Sequence, residues 1–119
     1  MKTSESDTLA RVCALARDYS MRGMSPRALF EASNYRQFSS KITTEAIASH
    51  IRGNRAFIGD WYMYSENKRT DRGWHFFIGD DQDKHSVVYY EGARIILEEH
   101  YDNEFDACAS YIKHELEHF

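Results

Sequence analysis

Near its middle, this chain changes the spacing of its apolar residues. Up to residue 52 they recur every three or four positions, and from residue 56 they fall at every second position. The first spacing lines one side of a helix and the second one face of a strand. The chain must therefore combine helices with a sheet, and a length of 119 residues gives room for a single domain, 1–119, with one core.

Residues 1–7 read as a frayed polar lead. Leu9, Val12, Cys13, Ala16 and Tyr19 then predict a first helix that stops near Met21 to Gly23, because glycine takes the left-handed conformation that ends helices. Ser25-Pro26 supplies a cap and a first-turn proline for a short helix over 27–32. The turn formers of 33–40 reorient the chain. A third helix over 41–52 has Ile42, Ala46, Ile47, His50 and Ile51 on its inner side, and Gly53-Asn54 closes it.

Four strands are expected next. The first is AFIGDWYMYS, residues 56–65, and the second starts at Gly73 or Trp74 with Trp74, Phe76 and Ile78 on one face. The third covers 86–90, and the fourth covers 93–99 with Ile95 and Leu97 facing inward. Turns this short favour antiparallel neighbours. Asn103, helped by Asp106, caps a final helix whose stripe is Phe105, Cys108, Ala109, Ile112, Leu116 and Phe119. The predicted fold is α+β: N-terminal helices, a four-stranded antiparallel sheet and a C-terminal helix, with a core including Trp61, Trp74, Phe76, Ile95 and Leu97.

Charge is unevenly spread. Residues 1–55 carry nine Lys/Arg against five Asp/Glu, whereas residues 56–119 carry six against fourteen, giving +4 and −8. An acidic half repels phosphates and attracts basic surfaces, and no basic track emerges for direct nucleic-acid binding. The polar opening MKTSESDTLA predicts no secretory leader. No run approaches the roughly 18–20 apolar residues of a membrane span, so the expected location is the cytoplasm. There the two cysteines, Cys13 and Cys108, are expected to be free and buried.

His114, Glu115 and His118 match the H-E-x-x-H spacing of zinc hydrolases. At 100° per residue, however, the two histidines lie about 200° and 240° around the helix from Ile112, away from its apolar stripe. The expected role is a solvated helix end, with no metal and no cofactor. Asp80, Asp81 and Asp83 form an acidic turn without the ligand series of a calcium loop. No nucleophile is accompanied by a base and an orienting group, so no catalysis is expected.

Tyr62, Tyr64, Phe77, Tyr89 and Tyr90 make the expected sheet aromatic on both faces, and aromatic surface is enriched in protein-binding hot spots. If helices cover one face, the other is an aromatic patch rimmed by acids; if the N-terminal helices lie on one side and the C-terminal helix on the other, both faces are covered.

The run NRAFIGDWYMYSENKRTDRGWHFF over 54–77, the VVYY strand and the closing EFDACASYIKHEL helix resemble the small cytosolic immunity proteins of bacterial polymorphic-toxin and contact-dependent inhibition systems. That resemblance implies stoichiometric binding and neutralisation of a cognate toxin domain, often a nuclease, with a basic surface. Surface reasoning assigns the contact to Tyr62, Tyr64, Asp80, Asp81, Asp83, Glu91, Glu98 and Glu99. The rival readings are a small enzyme with an unrecognised site and a nucleic-acid-associated adaptor.

Overall fold

The computed structural model describes residues 4–68, 72–79 and 85–119. Among them the chain forms seven helices: α1 Glu5–Cys13, α2 Leu15–Arg22, α3 Pro26–Ala32, α4 Tyr35–Phe38, α5 Thr44–Arg52, α6 Ala56–Glu66 and α7 Glu104–His118. Three strands, β1 Gly73–Phe77, β2 His85–Glu91 and β3 Arg94–Tyr101, form an antiparallel sheet in the order β1-β2-β3.

Several helix boundaries follow from side chains that satisfy the free amides of a first turn. Ser25 Oγ accepts from the Ala28 amide ahead of Pro26, Thr43 caps α5, and the Asn103 side chain accepts from the Asp106 amide at 2.8 Å. Gly23, at φ +70, closes α2 in the left-handed region. The lead expected to fray from residue 1 is helical by Glu5, because Ser4 and Asp7 form a reciprocal capping box. Within 33–40, α4 occupies a segment expected to be turn.

The expected four-stranded sheet is corrected to three strands, because the run 56–65 is helical. Seven of the ten residues there are apolar or aromatic, so the run satisfies both periods, and tertiary partners select the helix. Ile58, Trp61 and Ser65 are its buried positions, separated by three and four residues. The Trp61 indole donates to the Cys13 carbonyl at 2.8 Å, and Ser65 Oγ accepts from the Phe76 amide at 2.8 Å. Gly53 stays at φ −71 and leads the chain straight into this next helix.

The helix α7 lies between the helical layer and the sheet. Its apolar stripe joins the core formed with α1, α5 and α6, and Tyr111 meets both Trp61 and Phe76, at ring distances of 6.0 and 5.8 Å. A helix covered on two sides needs apolar or paired residues nearly all round, and residues 107–112, 115 and 116 are all buried.

The second correction concerns Ile95 and Leu97. Both were expected in the core and both are 55 % exposed, with Ile96 at 46 %. They stand on β3, an edge strand that reaches α7 through Glu99, next to His114 and Ser110.

Candidate functional site

Because strand residues alternate in direction, the sheet has two faces of different use. Trp74, Phe76, Val87, Tyr89, Leu97 and Glu99 share one face by register, and helices meet the sheet there. The Trp74 ring stacks on His114 at 3.6 Å with an interplanar angle of 6°, and its N–H donates to His118 Nε2 at 3.0 Å. Glu99 accepts from the Ser110 hydroxyl at 2.7 Å and the Tyr101 hydroxyl at 3.0 Å, with His114 Nε2 3.1 Å away. Burial raises the Glu99 pKa, but these hydrogen bonds and the nearby imidazole outweigh it and hold the carboxyl below its ordinary range.

The motif at the end of α7 is thus engaged in packing. The expectation that both histidines face solvent is corrected for His114, which is half-buried between Trp74 and Glu99, whereas His118 is exposed as expected while accepting from the Trp74 indole. Glu115 is buried against Lys68, whose ammonium also donates to the Trp74 carbonyl at 2.8 Å. Burial pulls the Lys68 ammonium down to about 8. Among the described residues, no group of three His, Cys, Asp or Glu could hold a metal ion. An open concavity of about 850 Å³ is lined by Tyr19, Pro26, Tyr64, Glu66, Asn67 and Lys68, where the Lys68 charge is already committed to Glu115.

The opposite face carries His75 and Phe77 from β1, Ser86, Val88 and Tyr90 from β2, and Ile95, Glu98 and His100 from β3. Among the described residues, the hydrogen bonds and ring contacts joining helices to strands fall on the first face; on this more open one Phe77, Ile95, Glu98 and His100 are exposed, His75, Ser86 and Tyr90 are half-buried and Val88 is buried. His75 meets Tyr90 edge-on at 5.3 Å and stacks loosely on Phe77 at 6.5 Å. Burial, and then the Lys68 charge, keep His75 below its ordinary imidazole range. Phe77 is 37 % exposed. Across β2 from it, β3 pairs among the described residues only with β2, which leaves its outer edge without a described strand partner. Between Ile95 and Leu97 the register shifts at Tyr89/Tyr90, inserting Ile96 as a bulge residue.

The residues assigned to a partner from sequence are dispersed. Tyr62 and Tyr64 stand on α6: Tyr62 packs edge-on to Phe76 at 6.3 Å, and Tyr64 lies between Tyr19 and Trp61. Glu98 is exposed on the open face, 3.3 Å from His100 Nε2. Glu99 points the other way and is bound to α7. Glu91 is exposed at the hairpin end, where it accepts from the Tyr89 hydroxyl at 3.3 Å. Asp80, Asp81 and Asp83 lie outside the described residues. The exposed apolar group Ile95, Ile96 and Leu97 was missed as surface; its sequence signal is three consecutive apolar residues where strict alternation should hold.

No family model matches the chain, and neither a curated protein nor a solved structure is significantly similar to it. Among the described residues, no helix is long and apolar enough to cross a membrane.

Proposed function

We propose that this chain works by stoichiometric binding of another protein through the open face of its sheet, and that it neutralises a cognate bacterial toxin domain in the cytoplasm. One observation carries the reading: helices pack on one face of the sheet, while Phe77 and Ile95 are exposed on the other, Tyr90 is half-buried there, and Ile96 and Leu97 are exposed along the adjoining edge. Contiguous apolar surface of this kind marks interaction sites on soluble domains. Fully covering an isoleucine, leucine or phenylalanine side chain yields about 1.5–3 kcal/mol. These side chains are already partly covered, and association itself costs about 4–15 kcal/mol. Apolar contact alone therefore leaves little surplus, and polar complementarity has to supply the rest.

The acidic second half of the chain supplies that complementarity toward a basic partner and speeds encounter. A nuclease fits best, since its substrate-binding surface is positive, and the resemblance to immunity proteins points the same way.

The test is affinity capture from the cells of origin, with the stoichiometry of any complex measured on the purified material. The expected result is a one-to-one complex with a basic protein domain, lost when Ile95 and Leu97 are both changed to serine in a chain that still folds. A one-to-one complex that survives those substitutions together with Phe77→Ser and Tyr90→Ser would remove the open face from the interface.

A further inference from the structure

We infer that β3 takes up an extended, lysine- or arginine-bearing strand from the partner, adding a fourth strand to the sheet. The inference rests on the binding reading above and states how the partner is held. An edge strand presents unpaired backbone N–H and C=O groups, and chains that join it gain affinity from main-chain hydrogen bonds and specificity from alternate side chains. Here the edge runs for eight residues and carries three exposed aliphatic side chains in succession. Natural edges are blunted by charge, proline, shortness or bulges; β3 has one bulge, at Ile96, and its carboxylates Glu98 and Glu99, which set the charge a joining strand has to carry.

Two occupants could cover it, a second copy of this chain or a different protein, and the register decides between them. Residues directly opposite in an antiparallel pair share a face. Self-pairing centred on Ile96 would set Arg94 against Glu98, but the bulge puts Ile95 and Leu97 on opposite faces and breaks that register. Centring on Leu97 runs each strand into the other's bulge at Ile96 in the same way, and beyond it the registers centred on Glu98, Glu99 and His100 oppose carboxylates. Centring on Glu98 sets it against its own copy, centring on Glu99 does the same, and centring on His100 sets Glu98 against Asp102. Like charges directly opposite destabilise a pair. A foreign strand avoids the conflict by carrying a cation opposite Glu98 on the open face and an aliphatic residue opposite Leu97 on the other.

The probe is a short synthetic peptide of alternating lysine and valine, which sets its lysines on the Glu98 face and its valines on the Leu97 face. Its control alternates glutamate and valine. Binding is followed by fluorescence anisotropy and by hydrogen exchange of the 94–101 amides in the full chain. The lysine peptide is expected to bind and to slow exchange along β3, and the glutamate peptide is expected to do neither. The exposed substitution Glu98→Lys is expected to weaken the lysine peptide about tenfold and to confer binding of the glutamate peptide. Unchanged β3 exchange at saturating lysine peptide, or equal binding of both peptides, would overturn the inference. So would concentration-dependent dimerisation of the free chain that Leu97→Lys abolishes. A captured one-to-one partner that requires Phe77 and Tyr90 but leaves β3 exchange as in the free chain would retain the binding reading and remove strand addition.

Discussion

Trp74 is held on two sides by one turn of α7: His114 stacks on its ring at 3.6 Å, and His118 accepts its indole N–H at 3.0 Å. The histidines of an apparent metal-binding spacing thus serve to seat a helix on a sheet. The Trp74–His118 bond requires an unprotonated Nε2 on His118, because an imidazolium has no acceptor there.

Truncating Trp74 removes the stack, the hydrogen bond and the packing against Tyr89 together. At 6 % exposure, Trp74→Ala is expected to cost about 3–5 kcal/mol. Urea unfolding followed by circular dichroism measures it, and a loss near zero would mean that α7 is not fastened to the sheet here. Trp74→Phe keeps most of the ring and is expected to cost less.

Lys68 and Glu115 form a nearly buried ion pair. Removing one partner leaves the other charge buried and unpaired, which costs about 3–5 kcal/mol, whereas replacing both with apolar residues is often close to neutral. Lys68→Met alone is therefore expected to be strongly destabilising, and Lys68→Met with Glu115→Leu is expected to recover most of the loss. Additive losses in the double-mutant cycle would show that the pair is not energetically coupled.

The lowered Glu99 pKa gives a signed pH dependence. Its hydrogen bonds with Ser110, Tyr101 and His114 favour the carboxylate in the folded chain, so the folded pKa lies below the ordinary value of 4.5. That contribution to stability is fully present above the unfolded value and is lost as pH falls through the folded one. Between pH 6 and pH 3 the wild-type chain is expected to lose stability more steeply than Glu99→Gln, by urea midpoint. Parallel profiles would remove Glu99 from the acid response.

The sequence was most readable where one local interaction decides the structure. Ser25-Pro26 and Asn103 with Asp106 marked helix starts because a cap needs only its own first turn, and alternation identified β1 because Trp74 and Phe76 are buried while Phe77 is not. Local pattern failed where the outcome depends on a remote neighbour. The run 56–65 is apolar under either period, and only contacts with Cys13 and Phe76 make it helical. Ile95 and Leu97 look like core by composition, yet β3 is an edge on which both stay exposed. On α7 the apolar stripe was identified correctly, but the opposite side meets the sheet, so His114, Glu115 and His118 are partners in packing. Of the proposed interface, the aromatic open face was foreseen as one of two arrangements, and the aliphatic edge was not.

The β2–β3 hairpin contains a strain that a single substitution should relieve. Its two central residues, Gly92 and Ala93, have φ of +57 and +67, the pattern of a two-residue turn whose twist matches the flanking strands. Glycine adopts this region freely, whereas a residue with a Cβ does so at a cost of about 1–2 kcal/mol. Ala93→Gly removes that cost and adds back unfolded-chain entropy of about 0.4–1 kcal/mol. Strain relief outweighs the added entropy, so the variant is expected to gain roughly 0.5–1 kcal/mol, read as a higher urea midpoint at unchanged slope. Gly92→Ala imposes the strain a second time and is expected to move the midpoint the other way. If both variants shift it in the same direction, the turn does not hold these angles in solution.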